Sequence, residues 1–244
     1  MRLADPYALR IKPSRETIVF SAGQLLGDQQ TQEDYFLNFN DECFVLADGL
    51  GSMPNGEVAS KFAAETALWA YKHIRQHRYY WQDKKLFMKR IFRSTNLAVW
   101  QKQREAGFEE GFATSLMVLI VGAKQYWLGC AGPSTAWLIR GSSMTKLTPE
   151  AGAFDATNKQ VLGLRRLGLV PMYKTAPFSS SDVLILTSTG CGNYLTPRDL
   201  ITAASMVGDN AESASSAVSS LLAASKINGS HDNMTAIILK RIES

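Results

Sequence analysis

The order and type of its segments predict an α+β layered fold for this chain of 244 residues. Three observations carry that expectation. Apolar, β-branched and aromatic runs of strand length come in clusters, with Gly or Asn-Asp between them. Long stretches with helical spacing stand between those clusters and not after each single strand. Strands and helices are therefore segregated, which argues against an alternating parallel sheet. No repeat, low-complexity tract or long Pro/Ser/Gly linker divides the chain, so one domain over residues 1–244 is expected.

The elements follow in order. Thr17–Ala22 is a short strand candidate. Tyr35–Asn38 and Glu42–Ala47 read as strands facing each other across the turn signal Asn40-Asp41. From Gly56 to Gln76, Ala59, Ala63, Ala67, Ala70 and Ile74 recur along one helical face. A second helix is expected over Lys84–Glu105. The period then changes to that of strands over Ala113–Val121, Gln125–Ala131 and Ser134–Arg140, which read as consecutive antiparallel strands. Asp182–Thr187 is another apolar strand. Thr196-Pro197 supplies an N-cap followed by proline at the first helical position, opening a helix over Pro197–Met206. Ala211–Lys226 reads as a further helix and Thr235–Lys240 as the last strand.

Bulk properties bound the function. A chain of this length can bury a substantial core, and 45% hydrophobic with 20% charged residues is ordinary for a folded domain. A net charge of +4 with scattered basic residues does not suggest nucleic acid. The mixed basic and aromatic run from Lys72 to Arg93, with Tyr79, Tyr80 and Trp81, reads first as a solvated helix face and loop. Its part from Tyr71 to Trp81 is also a candidate interaction surface. Cys43, Cys130 and Cys191 are widely spaced and form no CxxC pair, so buried reduced thiols are expected, not a disulfide framework or zinc site. Met1–Arg15 holds no apolar run of the secretory type, and no stretch is long and apolar enough to span a membrane. The expectation is a cytoplasmic protein without a membrane partner.

Four acidic spots lie at the ends of predicted elements: Glu33-Asp34, Asp48-Gly49, Glu57 and Asp232. Each alone is an ordinary turn residue. Together they suggest a site for a hard divalent cation, since carboxylates from separate strand ends can converge at one sheet edge. Gly49 would let backbone approach the ion closely. Residue chemistry alone leads to a metal-carboxylate hydrolase without a substrate.

Motif order extends this reading. Ala47-Asp48-Gly49-Leu50-Gly51-Ser52 followed by Asn55-Gly56-Glu57-Val58-Ala59-Ser60 resembles the "ADGMGG…GExAS" signature of bacterial members of the metal-dependent protein phosphatase 2C family. Residues 27–34 resemble the opening "GxRxxNED", Gly111–Ser115 stand where the family has "GTT", and Gly132–Trp137 stand for "GDSRAY". Leu147-Thr148 matches the "LT" that follows, Leu186–Gly190 stand for "LxSDG", and Gly229–Thr235 match "GSxDNxT". The ordered set covers about residues 17–240. This resemblance implies a four-layer α-β-β-α sandwich of two antiparallel sheets flanked by helices. It also implies a binuclear Mn²⁺ or Mg²⁺ site, hydrolysis of phosphoserine and phosphothreonine by a metal-bridging water, and a phosphorylated protein substrate or kinase partner. Carried over by residue, Asp48 would bridge the metals and Gly49 would offer its carbonyl. Asp232 would bind the first metal. Glu33 would support the second through water, with Asp34 behind it, and Asn233 would fix Asp232 or the phosphate side.

Departures fall on functional positions. Gln29 stands where the family has its phosphate-gripping arginine, and glutamine has neither the charge nor the bidentate fork. Thr189 replaces an aspartate ligand of the first metal. Pro133 and Thr135 replace the aspartate and arginine of "GDSR". Asp182 and Asp199 flank the Thr189 loop and are candidates to compensate, and His231 is a candidate ligand or proton donor. Two classes of function follow: an active phosphatase with a weakened metal site, or a binding or regulatory module that has lost catalysis. A phosphohydrolase of small molecules ranks last, because no GxxxxGK[ST] loop is present.

Overall fold

The computed structural model describes residues 17–51, 53–77, 82–108, 111–149 and 160–242. Ten strands form two antiparallel five-stranded sheets. They are β1 (Thr17–Leu25), β2 (Asp34–Phe39), β3 (Cys43–Gly49), β4 (Thr114–Val121), β5 (Gln125–Ala131), β6 (Thr135–Arg140), β7 (Ser143–Lys146), β8 (Met172–Pro177), β9 (Val183–Thr187) and β10 (Met234–Ile242). One sheet has the order β1-β10-β9-β6-β7, the other β2-β3-β4-β5-β8. Helices α1 (Gly56–Ile74) and α2 (Lys84–Lys102) cover the second sheet. The short α3 (Thr189–Gly192), α4 (Pro197–Met206) and α5 (Ala211–Ile227) lie with the first.

Period-two alternation explains the layers. In β3, Cys43, Val45 and Ala47 join the cluster under α1 and α2, whereas Phe44 and Leu46 join the cluster between the sheets. The between-sheet cluster takes Met117, Leu119 and Leu128 from one sheet and Leu138, Leu184, Leu186, Ile237 and Leu239 from the other. The outward residues Ile185, Ala236 and Ile238 pack under α4 and α5 with Leu200, Ala217 and Leu221. Both faces of the inner strands are therefore buried, which is why β4 is buried at every position and apolar from Leu116 to Val121. This is the four-layer α-β-β-α sandwich that the resemblance implied.

The expected hairpin forms, with Asn40 and Asp41 at φ 51 and 54 and Glu42 N–H donating to the Phe39 carbonyl at 3.1 Å. The Thr196 cap is a full capping box with Asp199. One expectation is corrected. β4 and β5 do pair, but β6 leaves that sheet at Gly132-Pro133 and pairs with β9 and β7 in the other. All three cysteines are buried and unpaired. Burial pushes the thiols of Cys130 and Cys191 up to about 12, which keeps them in the unreactive protonated form. Tyr79, Tyr80 and Trp81, like Met1–Arg15, lie outside the described residues.

Candidate metal and phosphate site

The site is assembled where the ends of β2, β3, β9 and β10 meet. Asp34 opens β2 and Asp48 is its register partner on β3. Gly49 N–H donates to the Glu33 carbonyl at 3.0 Å, so the two acidic motifs are locked side by side. A β-carbon on Gly49 would come within 2.6 Å of the Gly56 carbonyl oxygen. Only glycine lets the end of β3 lie against the start of α1, and that contact brings Glu57 to the same place. From the other sheet, Glu33 N–H donates to Asn233 Oδ1 at 2.8 Å. Asn233 Nδ2 in turn holds the Leu26 carbonyl at 2.8 Å. Asn233 thus ties the loop before β10 to the loop before β2.

Asp34 is buried and belongs to the scaffold beneath. Its Oδ2 accepts from Thr235 Oγ1 at 2.6 Å, and Gln24 Nε2 donates to both the Asp34 carbonyl and Thr235 Oγ1 at 3.1 Å. Ser188 Oγ accepts from Thr235 N–H at 2.9 Å. The two bonds to Asp34, from Thr235 and from Gln24, cross from one sheet to the other. Asp48 Oδ2 accepts from the backbone N–H of Thr189 at 2.8 Å, and Thr114 Oγ1 donates to the Asp48 carbonyl at 2.9 Å.

Electrostatics set this region apart. Burial first, then the charges of Glu57, Asp232 and Asp48, push the Glu33 carboxyl above its ordinary value. Burial, then the Asp48 charge, pushes Asp34 well up, against the opposing hydrogen bonds of Thr235 and Ser188. Burial raises Asp48, opposed by the Thr189 amide. Glu33 therefore feels Glu57, Asp232 and Asp48 as like charges, and Asp48 feels Asp232, a repulsion that a divalent cation would neutralise. The donors are all hard oxygens, which suits Mg²⁺ or Mn²⁺. Among the described residues, no group of three His, Cys, Asp or Glu side chains is drawn together closely enough to hold an ion as it stands.

The departures have structural counterparts. Thr189 opens α3 and contributes its amide to Asp48 where the resemblance expected a carboxylate. A β-carbon on the next residue, Gly190, would lie 2.2 Å from the Asn233 carbonyl oxygen and 3.0 Å from Asp232 Cβ, so α3 packs directly on the Asp232 loop. Thr135 pairs with Thr187 through hydroxyls 2.9 Å apart in the interior. Gln29 is exposed in the loop between β1 and β2. Neither candidate compensating carboxylate reaches the site. Asp182 is clamped by Arg140 Nε and Nη2 at 3.0–3.1 Å, and Asp199 closes the α4 capping box. His231 Nδ1 lies 2.7 Å from Asp28 Oδ2 on the exposed rim. Thr235 and Ser188 were visible within the motifs but carried no assigned role. Their position inside two acidic signatures was the available signal.

No family model matches the sequence, and no curated protein matches it. Solved structures do. The catalytic domain of the serine/threonine protein phosphatase PstP, in complex with two manganese ions, superposes with a TM-score of 0.73 at 18% identity, covering 93% of this chain and 99% of that one. A bacterial serine phosphatase gives 0.75 at 20% identity, with the same coverage. Serine/threonine phosphatase Stp1 from Staphylococcus aureus gives 0.75 at 18% identity, covering 92% and 95%. The chain has the fold of the bacterial serine/threonine phosphatases. That phosphatase 2C fold spans nearly the whole chain, and the acidic motifs sit on its strand ends.

Proposed function

We propose that this chain is a divergent phosphatase 2C-type domain that hydrolyses phosphoserine or phosphothreonine in proteins, with Mn²⁺ or Mg²⁺ held at the acidic end. The single observation that supports this most strongly is the approach of Asp48, Glu57 and Asp232 to Glu33, each of which raises the proton affinity of Glu33. Like-charged carboxylates kept together without a counter-charge weaken a fold; a bound dication explains why they are kept. Asp48, the Gly49 carbonyl, Asp232 and Glu33 would hold the ions, with Asp34 steadying the β2–β3 register from behind. When bound, such ions acidify a water and neutralise phosphoryl oxygens. The chain's own residues do the positioning. Asn233 fixes the Glu33 and Leu26 backbones, and the Thr189 amide orients the Asp48 carboxylate. The exposed Gln29 offers an amide donor to a phosphate oxygen in place of a charged clamp.

A second reading has its own support. The replacement at Thr189 leaves Asp48 bonded to an amide, and no ready-made ligand cage exists among the described residues. A phosphatase fold kept for recognition of a phosphorylated partner fits both facts. The decisive experiment is phosphate release from phosphoserine and phosphothreonine peptides at millimolar Mn²⁺. Turnover that disappears in Asp48→Ala supports hydrolysis. No turnover, with calorimetry showing no cation binding, rejects hydrolysis and leaves recognition. The expected cytoplasmic site of action accords with either reading; among the described residues no helix is long and apolar enough to cross a membrane.

A further inference from the structure

A groove of about 510 Å³ lies between α2 and the stretch that leads into β8. Its floor is apolar, formed by Phe92, Leu169 and Tyr173, and its rim is cationic, with Lys89, Arg93 and Arg166. No described residue lining it is acidic. Two further apolar side chains on the rim stand open to solvent, Leu167 at 67% and Val170 at 70% exposure. Such side chains in one place, ringed by charge of one sign, are uncommon on a surface without a partner.

The groove is preformed. Asn96 on α2 donates through Nδ2 to the carbonyls of Arg165 and Arg166 at 2.9 and 3.2 Å, and its Oδ1 accepts from Gly163 N–H at 3.1 Å. One buried amide therefore holds the wall against the helix, and the groove need not be ordered at the moment of binding. Several cations elsewhere on the molecule find carboxylates: Arg75 pairs with Glu42, Arg140 with Asp182 and Lys240 with Asp209. Lys89, Arg93 and Arg166 have no such ion pair among the described residues. The groove's lining shares no residue with the acidic end, and the stretch that forms its wall meets β4 at the Thr114–Leu162 bridge.

We propose that this groove docks an acidic segment of a partner protein, one whose apolar side chains enter between Phe92, Leu169 and Tyr173 while its carboxylates meet the cationic rim. Charge complementarity selects the partner's sign. The apolar floor and the exposed Leu167 and Val170 select a peptide over a small anion, which would leave that surface in water. Docking here does not depend on catalysis at the acidic end.

The test uses the full chain and two labelled peptides, one of alternating leucine and glutamate and a twin with lysine for glutamate, read by fluorescence anisotropy. The glutamate peptide is expected to bind at least about tenfold more tightly than its twin, and less tightly as salt rises. Arg93→Glu/Arg166→Glu and Leu167→Asp/Val170→Asp should each weaken it by about tenfold or more. Lys61→Glu/Lys226→Glu, at exposed positions on helices that do not line the groove, should leave it unchanged. All these side chains are exposed, and a thermal melt verifies that each variant folds. Equal binding of the two peptides overturns the proposal, as does a groove variant that binds like the parent. Displacement of the peptide by inorganic phosphate or by phosphatidylglycerol vesicles would also overturn it, in favour of a small-anion or lipid site.

Discussion

The space between the two sheets and the acidic end of the same sandwich follow opposite rules. Between the sheets, Phe44, Leu46, Met117, Leu119, Leu186 and Ile237 are fully buried and each supports its neighbours. At the end, Glu33, Asp34 and Asp48 are pushed toward protonation by burial and by neighbouring carboxylates, Asp232 among them in each case. One region is arranged for stability. The other opposes it, and a few bonds from Thr189, Thr235 and Asn233 hold it in place. A fold keeps such a region when something outside the chain relieves the opposition, and a cation held by these carboxylates would do so.

That contrast can be broken at several points. The largest effect belongs to the interior. Leu46→Ala should destabilise by about 2–5 kcal/mol in a denaturant titration, and Mn²⁺ should not restore the parent's stability. Next, Thr189→Asp restores a carboxylate beside Asp48 and Asp232. It is expected to tighten Mn²⁺ binding by about 10–100-fold by calorimetry; unchanged affinity would place the ions elsewhere. Asp48→Asn keeps an acceptor for the Thr189 amide but removes a buried like charge. The cation-free variant should melt roughly 2–4 °C above the parent, while losing both the Mn²⁺-induced stabilisation and any turnover. A lower melting temperature would mean that Asp48 serves the scaffold and not an ion.

The smallest effect is that of pH. Carboxyls whose proton affinity is raised on folding give stability that is fully present below the ordinary carboxylate range and is lost as pH rises through their raised values. In chelator, the melting temperature should therefore fall by on the order of 2 °C across the weakly acidic range through this cluster. Asp34 and Asp48 should carry most of it, because Glu33 is more open to solvent screening. Mn²⁺ should flatten the slope, and so should Asp48→Asn. A slope that Mn²⁺ leaves untouched separates the carboxylates from cation binding.

Much of this arrangement was legible in the chain. The Asn40-Asp41 hairpin, the Thr196-Pro197 helix start and the strand after Glu42 are local patterns, and each appears in the structure where expected. The edge strands β7 and β8 escaped notice because exposed, mixed positions give no clean alternation, and β8 ends in Pro177. β6 was recognised as a strand but assigned the wrong neighbours. Its side-chain pattern records which faces are buried, not which sheet supplies its hydrogen bonds.

The sequence by itself determined most of the elements, the order of the acidic motifs and the departures at Gln29, Pro133 and Thr189, because period, turn chemistry and residue type are properties of short segments. Only the tertiary structure decided three things: that Asp34 and Thr235, 201 positions apart, share a hydrogen bond; that Thr189 faces Asp48 with its amide; and that Asp182 and Asp199 are committed to Arg140 and a helix cap. Those are pairings between distant segments. The stacking of two sheets sets them, and the residues on either side of each pairing carry no mark of the partner they meet.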